Sequence, residues 1–316
     1  GMTGQGPLDM MLHWANGFWG LLSFSMQMAM VLVLGNTMAS AGVFKKGLRS
    51  IASTAQTPSR AIMITAFVSA VCCWINWGFG LVIGALLAKE IAKQVKGVDY
   101  RLLIASAYSG FVVWHGGMSG SIPLGVAAVG ADGVVANTGG VVTAAIPTSL
   151  TIFSPMNLTI SAIIILGLPF VCRAMMPDKE HTIEVDAALL VEDAEKVYKI
   201  ETPADKLEHS RIIWAIVLIL GFAYIIYNIA LNKLNSLNLN FVNFIFMFAG
   251  ILLHGNLKRY IDAFADSAKS CSGILLQFPF YAGIQGMMTG AVAGVSLAGV
   301  ISTFFVGIAT TTTFPL

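Results

Sequence analysis

Charged residues fall in widely spaced clusters along this chain. Between them run seven stretches without a single Asp, Glu, Lys or Arg: 10–44, 61–88, 102–131, 133–172, 212–232, 234–257 and 270–316. Crossing a bilayer takes roughly 20 apolar residues in a helix, so each stretch is long enough for one. The pattern predicts helices at about 18–41, 102–128, 157–172, 211–231, 239–255 and 271–290, with an amphipathic surface piece at 257–269. The tail 291–316 has Gly, Ala and Thr enough to lie partly at the membrane interface.

Lys and Arg near helix ends mark the cytoplasmic side. The block 18–41 is followed by Lys45, Lys46, Arg49 and Arg60 and so runs inward. Segment 61–95 starts from that basic loop and ends among Lys89, Lys93, Lys96 and Arg101, so both its ends favour the cytoplasm. Two readings follow: a re-entrant hairpin turning at Asn76-Trp77-Gly78-Phe79-Gly80, where glycines release the helix, or one tilted helix with Lys89 snorkelling on the far side. The block 102–128 then leaves the cytoplasm but is interrupted from Trp114 to Pro123, where three Gly, two Ser and one Pro cannot continue a helix comfortably. Residues 129–150 read as an external loop or partly embedded excursion.

The stretch 177–209 holds ten of the sixteen acids against four lysines and reads as a solvated linker. Leu21-Leu22-Ser23-Phe24-Ser25-Met26-Gln27-Met28 has a short, gapped echo in Leu275-Leu276-Gln277-Phe278-Pro279-Phe280 and Gln285-Gly286-Met287-Met288, and Thr57-Pro58 has one in Phe314-Pro315. The threading runs the first copy inward and the second outward, the mark of an inverted repeat. The expected organisation is a first membrane repeat over 1–176, with a hairpin at about 61–95 and a broken helix at about 102–128, then the acidic cytoplasmic linker 177–209, then a second, incomplete membrane repeat over 210–316. The fold class is an all-α polytopic membrane protein, an inverted-repeat ion-transporter-like architecture with a re-entrant hairpin and broken helices.

Composition narrows the function. Of 316 residues 56% are hydrophobic and 11% charged, against about 25% charged in an average soluble domain. A net charge of +2 spread over loops offers no basic face for nucleic acid. No block is left over for a soluble catalytic domain, no H-E-x-x-H occurs, and Gly117-Met118-Ser119-Gly120-Ser121 misses G-x-S-x-G at its last position, so no catalytic residues are assigned. Cys72, Cys73, Cys172 and Cys271 lie in apolar runs without C-x-x-C spacing and read as small buried hydrophobes. Residues 1–17 carry one acid and no base, which is not the start of a signal peptide.

Several strings are recognisable. Gly17-Phe18-Trp19 with Met26-Gln27-Met28-Ala29, Ile75-Asn76-Trp77-Gly78-Phe79-Gly80-Leu81-Val82, Asp99-Tyr100-Arg101-Leu102-Leu103-Ile104-Ala105, Ser119-Gly120-Ser121-Ile122-Pro123-Leu124 and Gln277-Phe278-Pro279-Phe280-Tyr281-Ala282-Gly283-Ile284-Gln285 closely resemble the bacterial short-chain fatty acid transporter family. The resemblance runs from about residue 7 to the end. It implies a multi-pass secondary carrier of acetoacetate, butyrate and similar monocarboxylates in the bacterial cytoplasmic (inner) membrane. The family is longer at both ends, so the chain is expected to be truncated there, lacking an N-terminal helix and a Gly-rich second hairpin. Where this chain has His115 the family pattern has Gly, which argues against a proton relay there.

A small carboxylate at the membrane midplane needs hydrogen-bond donors and an offset for its charge. Half-helix N-termini supply both. The hairpin tip and the break predict a substrate site at Asn76, Gly78, Gly80, His115, Gly116, Gly117, Ser119 and Ser121, with Gln27 and Gln285 as pathway residues. Each has a plainer alternative: Asn76 as a helix cap, the serines bonded to their own backbone, His115 as packing, the glutamines as interhelical partners. The coupling ion is expected to be H+ or Na+, with sodium placed near Asn76 and Ser119 and no other cofactor. Partners are the monocarboxylate, the lipid bilayer and, for oligomers, a homodimer, but not nucleic acid. The alternatives are a passive channel, or a carrier of another small organic anion such as a dicarboxylate.

Overall fold

The computed structural model describes residues 3–128, 144–190, 198 and 200–310. By contact the chain divides into two units, Gly1–Ala29 with Cys271–Leu316, and Met30–Ser270. This division concerns packing, whereas the repeat boundaries read from the sequence concern topology. Among the described residues four stretches are long and apolar enough to cross a membrane: Leu22–Ala39, Pro58–Ile75, Pro155–Ala174 and Pro203–Asn232. The fold is that of an all-α polytopic membrane protein.

In the first unit, α1 (Pro7–Gly17) forms where the sequence pattern promised no element. Its start is set by Asp9, whose carboxylate accepts the Gly6 N–H at 2.8 Å, and by Pro7 in the first turn. A turn closes with the Gly20 N–H donating to the Gly17 carbonyl at 2.8 Å, so α2 (Leu22–Ala39) begins four residues later than the apolar block. Within this unit Trp14 of α1 and Phe18, just past its end, meet Phe280, with ring centroids 6.2 and 5.5 Å apart. Positive φ at Ala293 and Gly294 turns a two-stranded ribbon, β1 (Ala291–Val292) against β2 (Val295–Ser296). The expected tail segment thus contains a ribbon and a helix, Leu297–Ile308, whose N-terminus is capped by the Ser296 hydroxyl. The Pro315 end of the repeat echo lies outside the described residues.

The second unit is built around a helical hairpin. After the amphipathic α3 (Gly42–Thr54), α4 (Pro58–Ile75) starts at an N-cap, Thr57, whose hydroxyl accepts the Arg60 N–H at 3.3 Å. One residue, Asn76, separates α4 from α5 (Trp77–Gln94). The backbone folds back there instead of continuing as one tilted helix. At the open end, a methyl on Gly97 would lie 3.8 Å from the Pro58 ring, so both far ends of the hairpin come together.

α6 (Tyr100–Ser109) follows, and the break comes earlier than Trp114: the helix tightens into a 3-10 turn over Gly110–Gly116. The turn starts at a close approach to α4: a side chain on Gly110 would meet the backbone of Ser69 and Ala70. A second short helix, α7 (Ser121–Ala128), resumes after the break. Residues 129–143 of the expected external loop lie outside the described residues, as do 191–197 and 199 of the acidic stretch. α8 (Pro155–Ala174) packs Ile164, Ile165 and Leu168 against Ala70, Cys73 and Val113. Further along are α9 (Pro203–Glu208), α10 (Arg211–Asn232), α11 (Leu239–His254) and the amphipathic α12 (Leu257–Ala268). α11 is anchored to two neighbours through polar bonds: Trp214 Nε1 of α10 donates to its Ile251 carbonyl, and its His254 Nε2 bonds the Thr37 carbonyl of α2, both at 2.9 Å.

Candidate functional site

Asn76 is fully buried and closes the hairpin from both sides. Its N–H donates back to the Cys72 carbonyl of α4 at 2.9 Å, while its Oδ1 accepts the Phe79 N–H of α5 at 2.9 Å and its carbonyl accepts the Gly80 N–H at 2.8 Å. Because Oδ1 is committed to Phe79, the amide orientation is fixed and Nδ2 points its two protons elsewhere; among the described residues it finds no acceptor. Such a buried orphan donor calls for an explanation.

The break in the α6–α7 strand of chain docks directly on this tip. The Ser119 hydroxyl, fully buried, accepts the Trp77 N–H at 2.9 Å, and the Met118 N–H donates to the Trp74 carbonyl at 2.7 Å. Three of the first four N–H groups of α5 are thus taken up, by Ser119 and twice by Asn76. Close approach explains the glycines. A side chain on Gly117 would collide with the Trp74 carbonyl, and one on Gly78 would lie 2.8 Å from the Leu32 Cα of α2.

Of the residues expected to form the site, the structure brings Asn76, Gly78, Gly80, Gly117 and Ser119 together at the tip. Gly116 lies next to them, its carbonyl accepting from Asn157 Nδ2 at 2.9 Å. Ser121 is buried at the start of α7. The His115 side chain is exposed and lies over Trp114, with ring centroids 3.7 Å apart. Gln27 is half-buried and Gln285 exposed, both in the other unit.

Three contributors were not singled out from the sequence. Asn157 Nδ2 also donates to the Ile152 carbonyl at 2.7 Å, so one amide holds both the break and the approach to α8. The available signal was a lone amide near the start of a charge-free block. Trp77 stands in the sequence reading only within the string of the hairpin tip, and Trp74 does not figure in it.

Residues 74–80 carry no formal charge, and the charged residues of the hairpin itself lie towards its far end. There the buried Asp99 caps α6, its carboxylate accepting Leu102 N–H, Ile183 N–H and Arg101 Nη2, each at 2.9 Å. The Tyr100 N–H donates to the Ile183 carbonyl at 2.8 Å and Arg101 Nη2 to the His181 carbonyl at 3.0 Å, so the start of the acidic stretch is clasped to the start of α6. Burial pushes the Asp99 carboxyl up, but the Arg101 bond and the two backbone N–H groups outweigh it and bring the carboxyl down from 3.8 to about 2.

The family model described as short chain fatty acid transporter matches residues 1–316. A protein of Escherichia coli (strain K12) is 43% identical over 318 residues, spanning 100% of this chain and 70% of the relative. One from Haemophilus influenzae (strain ATCC 51907 / DSM 11121 / KW20 / Rd) is 41% identical over 325 residues, with the same coverage of 100% and 70%. Both bear the name "Putative short-chain fatty acid transporter". No solved structure matches the chain.

Proposed function

This chain belongs to the short-chain fatty acid transporter family, and on that footing we propose that it carries small monocarboxylates such as butyrate and acetoacetate across the bacterial cytoplasmic membrane. It is a transport protein of the membrane rather than an enzyme. The observation that carries the proposal is the orphan Nδ2 of Asn76 at the N-terminus of α5. A helix N-terminus contributes about half a positive charge, and the buried Asn76 Nδ2 adds a donor that has no partner among the described residues. A carboxylate satisfies both without any charged side chain, which matters because Lys or Arg at that depth is expensive.

The carrier is ion-coupled and works by alternating access, with the inverted sequence repeat supplying its two arrangements. Both side-chain oxygens at the tip, Asn76 Oδ1 and Ser119 Oγ, already accept backbone N–H groups. This favours the tip as the anion's place over the sodium position expected near those residues. The test is uptake of labelled butyrate into proteoliposomes with sodium and pH gradients imposed separately. Saturable uptake driven by one gradient is expected. Flux that does not saturate points to a channel, and uptake untouched by collapsing both gradients refutes coupling.

A further inference from the structure

Three side-chain donors at the hairpin tip, Trp74 Nε1, Asn76 Nδ2 and Trp77 Nε1, are buried and lack an acceptor among the described residues. They lie within four consecutive positions, and no orphan acceptor accompanies them there. The oxygens that could have served are used: Asn76 Oδ1 by Phe79 and the Trp74 carbonyl by Met118. An indole N–H donates and never accepts. A donor set with no free acceptor selects a ligand bearing lone pairs and a negative charge, and repels a cation.

Trp77 also has an apolar side. Its ring meets Phe111 and Trp114 with centroids 5.9 and 6.0 Å apart, and those two rings stack on each other at 5.2 Å with planes 5° apart. A donor beside an aromatic wall matches the two halves of a short fatty acid, a carboxylate and a few methylenes.

We propose that Trp77 is a specificity-determining residue of this transporter: its indole N–H joins Asn76 Nδ2 in holding the substrate carboxylate, and the Phe111–Trp114 stack beside it receives the alkyl chain. This rests on the monocarboxylate reading above. A hydrogen bond to a charged group is worth about a factor of ten or more in affinity.

The test is butyrate uptake into proteoliposomes by the wild type, W77F, W77H and F111A. W77F keeps an aromatic ring and loses the N–H; its KM is expected to rise about tenfold with kcat retained. W77H keeps a ring N–H and is expected to recover most of that loss. In F111A, hexanoate is expected to gain on butyrate several-fold. An unchanged KM in W77F overturns the donor role, and so does a W77H as impaired as W77F, since that marks packing alone. An unchanged hexanoate-to-butyrate ratio in F111A overturns the alkyl-chain assignment. Wild-type protein without butyrate uptake is a separate failure, of the monocarboxylate reading itself, and is seen before any variant is compared.

Discussion

The Ser119 hydroxyl accepts the Trp77 N–H at 2.9 Å across a separation of 42 residues. That bond joins two interruptions of helical backbone, each of which would otherwise leave polar groups stranded in an apolar setting. The hairpin tip donates its first N–H to the break, and the break returns the Met118 N–H to the Trp74 carbonyl. Neither interruption is complete without the other.

Ser119→Ala should therefore be costly despite its small size. It leaves the Trp77 N–H buried without a partner, a loss of about 1–3 kcal/mol. The expected result is a lowered thermal unfolding midpoint of the detergent-solubilised protein and reduced uptake. An unshifted midpoint would show that the bond contributes nothing to stability.

Asn76 separates capping from recognition. Asn76→Ala removes both the cap and the orphan donor, and should lose about 0.5–2 kcal/mol of stability together with uptake. Asn76→Asp keeps a good N-cap but replaces the donor by a carboxylate oxygen. Its buried carboxyl carries a cost of its own, so uptake of labelled butyrate is compared per molecule of protein in the membrane, and there it should fail. Wild-type uptake by Asn76→Asp would remove the tip from the anion's path.

Gly117→Ala tests the docking of break on hairpin. The added methyl meets the Trp74 carbonyl backbone, which cannot swing aside like a flexible side chain. A cost of about 1–3 kcal/mol is expected from overpacking, seen as reduced membrane abundance and a lower unfolding midpoint. Gly125→Ala, with open space at its Cβ position, is the control that should change neither.

The clasp at Asp99 gives a pH dependence with a definite sign. Its carboxyl is lower in the folded chain, about 2, than the ordinary 3.8. The stabilisation is fully present above 3.8 and is lost as pH falls through that window towards 2. Asp99→Asn should remove this acid-dependent component and weaken the hold on Ile183. Limited proteolysis of the acidic stretch at neutral pH is expected to run faster in the variant, and equal rates would refute the clasp.

Much of the helical layout was legible because lipid solvation imposes long charge-free blocks: α8, α10, α11 and α12 fall within a few residues of the expected ranges. The turn at Asn76 was one of two readings from charge alone, and packing of α4 on α5 decides between them. α1 escaped notice because its 11 residues are too short for a spanning block and its start depends on the local Asp9 bond. At the site, Asn76 and Ser119 stood out as polar groups next to glycines. The roles of Trp74, Trp77 and Asn157 could not be read, because they depend on which buried donors find an acceptor after folding, as Asn157 Nδ2 does, and which do not, as the two indoles, a property of three-dimensional accounting and not of residue type.

The single-residue junction at Asn76 also limits how this protein can move. Two helices joined without a spacer, with the joining side chain bonded into the second, leave no hinge at the closed end. On the transport reading proposed above, the change of backbone geometry that lies beside the tip is the 3-10 turn of Gly110–Gly116, and that is where a motion around a bound acid would be sought.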